Sequence, residues 1–503
     1  MVRNVLDYLE QSAAKNPDKI ALRDENTQVT YSEYVTQAKA IATYLAKNET
    51  EGQRNRPVAV IIDRNIRSII AFMGIVYSGN FYVPIDNTMP AERVELIYNT
   101  LEPVAVLDGR NDSSKAIEGA IVLDEIIAKA EIDEELLAEI RKNSVDTDPL
   151  YGIFTSGSTG VPKGVVICHR SVVDMVEAFT DTFGFDSEMV HGNQAPFDFD
   201  VSVKDIYNSM KNGATVVVVP KKLFMLPKLL LDFLCEYKIN TMIWAVSALR
   251  IVSDFKALDA MEQKPDIRYI MFSGEVMPVK ALNYWIENVP EPMYVNLYGP
   301  TEITCNCTYF VVNGKQDEWK ALPIGKAFPN TRILLLDEER KHLVTKQDEV
   351  GELCVAGTSL ALGYWNNKEK TDDAFIQNPD ITQYESKIYA TGDMAYYNEN
   401  GDLVFASRRD FQIKHMGHRI ELGEIEVALN AIPFIETSCC LYDEKRGKIV
   451  CFYQSASEDT RAIVKLLGEK LPKYMWPNIF KRYDKLPMNK NSKIDRVKLK
   501  EEI

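Results

Sequence analysis

The stretch Tyr151-Gly152-Ile153-Phe154-Thr155-Ser156-Gly157-Ser158-Thr159-Gly160-Val161-Pro162-Lys163-Gly164 decides how the chain is read. Its first four residues make an apolar run of strand length, and hydroxyl and glycine residues follow at once. The glycines permit backbone conformations that turn successive N–H groups inward, while four hydroxyls and Lys163 add donors for an oxyanion. The segment reads as a strand leading into a phosphate-sized loop. It is not a Walker A loop, because the GxxxxGK[ST] spacing is absent. A bare Ser/Gly/Thr run is also the composition of a flexible linker, so the loop needs support from the rest of the chain.

Outward from it, helices and strands alternate. Val5 to Ala14 is amphipathic, Ile20 to Arg23 is a short strand, Tyr31 to Ala46 a helix and Val58 to Ile62 a strand. The helix Ile66 to Tyr77, the strand Phe81 to Pro84, the helix Ala91 to Asn99 and the run Val104 to Leu107 continue the pattern of a doubly wound lobe. A second α/β lobe runs from a helix at Val201 to Met210, through Val216 to Val219, to Tyr269 to Phe272. Beyond about Lys320, short strands such as Arg332 to Asp337 and Gly351 to Ala356 predict a small β-rich lobe. The boundary falls at Arg408-Arg409-Asp410. The expected division is a core over 1–409, with two doubly wound α/β lobes and the β-rich lobe, and a small mobile α+β domain over 410–503. In the latter, Ser438 to Tyr442 and Ile449 to Tyr453 flank a charged turn and read as a hairpin between helices.

The bulk numbers agree with a multi-lobed globular chain: 503 residues exceed one core, and 46% hydrophobic with 26% charged residues is ordinary. A formal net charge of -15 argues against nucleic acid or an anionic membrane as partner. The first residues lack the apolar core of a signal peptide, and no apolar run is long enough to span a bilayer, so a cytoplasmic protein without membrane insertion is expected. Eight cysteines stand without a framework; Cys305-Asn306-Cys307 and Cys439-Cys440 lack metal-site spacing and read as packing.

Four further segments carry chemistry. Asn296-Leu297-Tyr298-Gly299-Pro300-Thr301-Glu302 places an amide, an aromatic plate and a carboxylate in one loop, groups that suit an adenine edge, an adenine face and a magnesium ion. It is equally a Pro-Gly turn with a solvated Glu. Tyr389-Ala390-Thr391-Gly392-Asp393 ends a strand on a carboxylate able to accept from two ribose hydroxyls, though a bare TGD is usually a turn. Gly417-His418-Arg419-Ile420-Glu421-Leu422-Gly423-Glu424-Ile425-Glu426 leads into a C-terminal helix, and Asn489-Lys490-Asn491-Ser492-Lys493-Ile494-Asp495-Arg496 presents a lysine on a polar loop.

In this order the segments resemble the core motifs of the acyl-adenylate-forming (AMP-binding) superfamily, in its amino-acid-activating branch of nonribosomal peptide synthetase adenylation domains and stand-alone D-alanine:carrier protein ligases. The likeness covers nearly the whole chain and extends to Phe81-Tyr82-Val83-Pro84-Ile85-Asp86, Phe199-Asp200-Val201-Ser202-Val203 and Gly351-Glu352-Leu353. Asn193 to Phe197, Gly274 to Pro278 and Asp410 to Lys414 are similar to the stand-alone ligases in particular.

The resemblance implies ATP-dependent formation of an acyl-AMP and its transfer to the thiol of a small acidic phosphopantetheinylated carrier protein, with Mg2+ as cofactor. It assigns Thr155, Ser156, Gly157, Ser158, Thr159, Gly160 and Lys163 to the leaving phosphates, Thr301 to the α-phosphate and Glu302 to the metal. Asn296 and Tyr298 go to the adenine, Gly299 to the nucleotide, Asp393 with Arg408 to the ribose, Lys493 to the attacking carboxylate and the nucleotide, and Asp410 to the hinge. Ser492 and Ser407 depart from the glycines usual before Lys493 and Arg408.

The substrate set implied by motif spacing is Asp200, Val201, Lys204, Trp244, Met271, Ser273, Leu297, Cys305 and Asn306. Asp200 matches the residue that pairs with a substrate ammonium; on its own it is equally a helix N-cap. Lys204, four residues on, either pairs with Asp200 on one helix face or meets a second carboxylate on the substrate, with Trp244 closing the floor. Whole-chain likeness points to D-alanine; an acidic amino acid is the alternative. An acyl-CoA ligase and a noncatalytic paralogue are the rival readings, the first opposed by Asp200 and the second by Lys163, Glu302, Asp393 and Lys493 together.

Overall fold

The structure, a computed structural model, describes all residues except 1, 112–116, 130, 158–159, 318–321, 411 and 489–493. It is an α/β chain that divides into two compact units. The first comprises Met1–Asn87, Glu102–Ile153 and Val165–Arg409, the second Thr88–Leu101, Phe154–Gly164 and Asp410–Ile503. The second unit thus takes in two short segments of the N-terminal sequence besides the chain from Asp410 onward.

The first unit is built on two mostly parallel sheets. In one, strands follow the order Gly363–Tyr364, Lys163–Cys168, Pro149–Thr155, Phe81–Asp86, Pro57–Ile62, Ala105–Asp108 and Ile121–Val122. Pro57–Ile62 is buried at every position, as expected of a strand covered by helices on both faces. In the other, the order is Lys326–Ala327, Thr308–Val312, Met293–Tyr298, Tyr269–Ser273, Thr241–Ala245, Val190–Asn193, Thr215–Val218, Ile20–Arg23 and Gln28–Thr30. An antiparallel sheet of Thr331–Leu336, Gly351–Gly357, Lys387–Tyr397 and Phe375–Gln377, with Leu403–Arg408 on the third strand, forms the small β-rich part.

Local chemistry sets the helices. Tyr31–Asn48 starts at a capping box in which Thr30 accepts from the Glu33 N–H and Glu33 accepts from the Thr30 N–H. Asn65 caps Ile66–Tyr77 by accepting from the Ser68 N–H. Val201–Asn212 ends at Gly213, whose φ of 65° is the left-handed conformation a helix stop favours.

In the second unit, Gln412–His415 and His418–Glu421 form a two-stranded ribbon that leads into the helix Leu422–Asn430. The expected hairpin spans Thr437–Asp443 and Lys448–Gln454, and a third strand, Ile479–Tyr483, adds in parallel to its second arm. That strand, Ile-Phe-Lys-Arg-Tyr, is half-buried throughout and has no alternation to mark it. No described helix is long and apolar enough to cross a membrane.

Candidate active site

The motif residues of the first unit lie on the parallel strand Met293–Tyr298 and the turn that follows it, and on the antiparallel strands Gly351–Gly357, Lys387–Tyr397 and Leu403–Arg408. Asn296 and Tyr298 lie on Met293–Tyr298, which continues through Gly299-Pro300 into the short turn Thr301–Ile303. The loop then doubles back so tightly that a Cβ on Gly299 would meet the Cys305 carbonyl oxygen at 2.5 Å and Asn306 Cα at 2.6 Å. Thr304 and Cys305 both hold left-handed backbone, φ 57° and 74°, at a cost of about 1–3 kcal/mol each. Side chains hold that shape: Thr304 Oγ1 donates to the Ser359 carbonyl at 2.8 Å, and Cys305 Sγ donates to the Asp200 carbonyl at 2.9 Å.

Three of the expected nucleotide residues converge. Tyr298 donates its hydroxyl to Asp393 Oδ2, and Arg408 Nη1 stands 2.5 Å from Asp393 Oδ1. Asp393 pairs across the ladder with Arg408, and its N–H donates to Thr391 Oγ1 at 3.0 Å. Burial, then the adjacent Asp393 charge, pushes the Tyr298 phenol well above its usual range, so it stays a donor. Asn296 Nδ2 donates to the Pro323 carbonyl at 2.8 Å. Thr301 is buried, and Glu302 is fully buried with Tyr364 donating to its Oε1 at 2.7 Å.

The substrate set separates. Lys204 is fully buried on Val201–Asn212, and its ammonium donates to Asn306 Oδ1 at 2.9 Å and to Ser273 Oγ at 3.4 Å. Both acceptors are neutral, so the Asp200–Lys204 ion pair weighed from the sequence is not formed. Burial lowers the Lys204 pKa from its usual range, opposed by the nearby Cys305, Asp200 and Asp205. Asp200 occupies the N-cap position with helical backbone and makes no side-chain capping bond, which removes the capping alternative. Val201 is half-buried beside it, and Leu297 and Met271 are buried in the same core as Val203 and Ile206.

Trp244 does not join this group. Its register partner is Phe272, and both pack with Phe224 in the core on the far side of the sheet. Ile243 and Met271, one residue away, face the core that includes Val203 and Ile206 of the Lys204 helix. Successive strand residues alternate faces, so Ala245, the register partner of Ser273, lies on the Ser273 face of the sheet and Trp244 on the opposite one. The indole instead donates to the Gly192 carbonyl at 2.6 Å.

One group of residues had no assigned role. Glu352 is fully buried and receives Arg340 through two bonds of 2.7 Å, Arg409 Nη1 at 3.0 Å and the Gly392 N–H at 3.1 Å. It ties the strand before Asp393 to the end of the first unit. The Gly351-Glu352-Leu353 motif was its only sequence signal, because its arginine partners lie 12 and 57 residues away.

In the second unit the glycine-rich loop carries a buried Thr155 Oγ1 with no hydrogen-bond partner among the described residues. Ser156 Oγ donates to the Arg419 carbonyl at 2.8 Å and accepts the Glu421 N–H at 3.1 Å, and the Gly157 N–H donates to Glu424 Oε2 at 3.2 Å. Gly160 adopts φ 83°, and Lys163 opens the strand Lys163–Cys168. Asp410 Oδ1 accepts the Gln412 N–H at 3.1 Å at the point where the chain enters this unit. Ser158, Thr159 and Lys493 lie outside the described residues.

The AMP-binding enzyme family matches residues 9–365. Over 500 residues the chain is 33% identical to bacitracin synthase 1 of Bacillus licheniformis, covering 98% of this chain and 9% of that protein. It is 32% identical over 516 residues to the D-alanine–D-alanyl carrier protein ligase of the same species, covering 99% of both. Thus it spans a small part of one relative and nearly all of the other. Among solved structures, a nonribosomal peptide synthetase protein containing adenylation and PCP domains, bound to a vinylsulfonamide inhibitor, matches with a TM-score of 0.86 at 25% identity over 99% of this chain and 84% of that one. Motifs, fold and full-length similarity converge on one conclusion: this chain belongs to the AMP-binding enzyme family.

Proposed function

We propose that the chain activates the carboxylate of an amino acid as an aminoacyl-AMP and passes the acyl group to the phosphopantetheine thiol of a carrier protein. The observation that carries this reading is the buried Asp393 carboxylate, gathered between Tyr298 and Arg408, in a chain that matches carrier protein ligases end to end.

In the first step a substrate carboxylate oxygen bonds to the α-phosphorus of ATP and pyrophosphate leaves. Two anions must be held together, so positioning and charge neutralisation carry the catalysis. Asp393 and Arg408 take the ribose, Asn296 and Tyr298 the adenine, Thr301 the α-phosphate, and the loop from Thr155 to Lys163 the leaving phosphates, with Gly299 beside the nucleotide. The unpartnered Thr155 hydroxyl and the left-handed Gly160 suit such a loop. Lys493 bridges the two anions. Glu302 would hold Mg2+, which would supply charge neutralisation at the phosphates.

In the second step the thiol sulfur bonds to the acyl carbon and AMP leaves. Asp200 takes the substrate ammonium and Asp410 is the hinge between steps. The carrier is small and acidic, and both proteins work in the cytoplasm. D-alanine is the first substrate reading, from the full-length relative. A second reading, an acidic amino acid, is favoured by Lys204, a buried cation whose partners are both neutral.

An amino-acid panel with both enantiomers, read by ATP–pyrophosphate exchange and then by thioester formation on a pantetheinylated carrier, tests the proposal. Exchange with one amino acid and loading of the carrier are expected. Exchange with none, or coenzyme A serving as well as the carrier, would overturn it.

A further inference from the structure

The loop assigned above to phosphate already holds an anion, and that anion is a side chain. Glu424 is the third residue of Leu422–Asn430 and is 1% exposed. One of its oxygens faces Arg93 Nη1, itself 4% exposed on Ala91–Leu101; the other accepts the Gly157 N–H at 3.2 Å. Ser156 is bound twice to the same stretch of chain, through the Arg419 carbonyl and the Glu421 N–H. Beyond it, Val427 Cγ1 stands 3.1 Å from where a Cβ on Gly160 would lie. All these residues belong to the second unit. A main-chain N–H in a Gly- and Ser-rich turn is a generic anion donor, and here a carboxylate has taken it. Burial raises the Glu424 pKa, while Arg93 and the Gly157 N–H pull it down and favour the charged form.

We propose that Glu424 is a positioning residue whose carboxylate takes the place of pyrophosphate on the loop, so that it and the β- and γ-phosphates of ATP exclude one another. This rests on the adenylation reading above. No covalent bond changes: the Gly157 N–H exchanges a phosphate oxygen for a carboxylate oxygen once pyrophosphate has left. The Arg93 pair fixes the carboxylate, and the Ser156 bonds fix the loop. The thioester-forming step would then proceed with the phosphate site closed by the protein's own anion, and returning pyrophosphate would have to displace Glu424 before it could reverse the first step.

The test titrates inorganic pyrophosphate into the full chain by calorimetry. It compares the parent protein with Glu424→Gln and with the charge-balanced pair Glu424→Gln/Arg93→Met, which keeps the measurement possible if an unpaired buried Arg93 impairs folding. A neutral amide is the weaker acceptor, so pyrophosphate is expected to bind about three- to tenfold more tightly to the folded variants. Pyrophosphate should also inhibit thioester formation from supplied aminoacyl-AMP at correspondingly lower concentration, and the KM for ATP should fall. A purely structural Glu424 would lower the melting temperature and leave these constants together. Equal pyrophosphate affinity in the parent and the charge-balanced variant would overturn the inference. Absence of exchange with every amino acid in the parent protein would instead sink the adenylation reading beneath it.

Discussion

Asp393 is a shared acceptor: the Tyr298 hydroxyl donates to one of its oxygens and the Arg408 guanidinium stands against the other. A carboxylate has about four lone-pair positions, so both ties leave acceptor capacity for a ribose. Removing the phenol leaves the acceptor charged and hydrogen-bonded by Arg408. Removing its charge weakens every bond it makes. Tyr298→Phe should therefore raise the KM for ATP about three- to tenfold, and Asp393→Asn more than tenfold, with thermal unfolding little changed in the first. Steady-state exchange at varied ATP measures both, and equal effects would show that Asp393 acts only through the tyrosine.

Glu352 anchors the strand Lys387–Tyr397 at Gly392, the residue before Asp393. Its carboxylate is almost wholly buried, but Arg340 and Arg409 keep about a third or more of their side chains in water and can resolvate when it is removed. The half-buried Gly392 N–H would lose its acceptor. Glu352→Ala should thus cost about 1–3 kcal/mol of stability, less than the about 3–5 kcal/mol of breaking a fully enclosed pair. Because Gly392 adjoins Asp393, the KM for ATP should rise as well. Denaturant melts with exchange kinetics on one preparation check both; a stability loss with unchanged KM would confine Glu352 to the fold.

Lys493 is assigned a task only while a carboxylate attacks a phosphate. Lys493→Ala is expected to lower adenylate formation by at least about a hundredfold, the scale of losing one charge-stabilising group, and to spare transfer from supplied aminoacyl-AMP. Comparable loss in both half-reactions would mark it as structural.

What could be read in advance follows from how far each signal reaches along the chain. Tyr269–Ser273 and Pro57–Ile62 are continuous apolar runs, Ile66–Tyr77 starts at an Asn cap, and the Thr437–Asp443 hairpin surrounds a Gly-containing charged turn, so their bounds were near at hand. Ile479–Tyr483 was missed because its strand character comes from its parallel partner, not its own pattern. The error at Trp244 is of another kind: motif spacing gave the strand but not the phase, and a shift of one residue turns a side chain to the other face. Nothing local announces that Ser156 and Gly157 meet Glu421 and Glu424, more than 260 residues away.

The side chain of the substrate turns on Lys204. A buried ammonium with two neutral acceptors is poorly compensated, and its lowered pKa is the sign of that cost. Below its folded pKa the lysine is charged in folded and unfolded chains alike, and the penalty is fully present. As pH rises from that value toward 10.5 the unfolded chain binds more protons than the folded one, so stability should rise over this alkaline window. Lys204→Met removes the charge at similar volume, and should flatten that rise and leave the protein as stable at neutral pH or more so. Ligands separate the two substrate readings. D-alanine gives Lys204 no partner, so a D-alanine enzyme should keep its exchange activity within about threefold in Lys204→Met. An amino acid with a second carboxylate would complete the site, raising the melting temperature of the parent protein and not of the variant. Its exchange should fall in Lys204→Met by about tenfold or more, the loss of a charge-assisted bond. Melting and exchange on the two proteins, with D-alanine and with aspartate and glutamate, therefore decide between the readings by opposite signs.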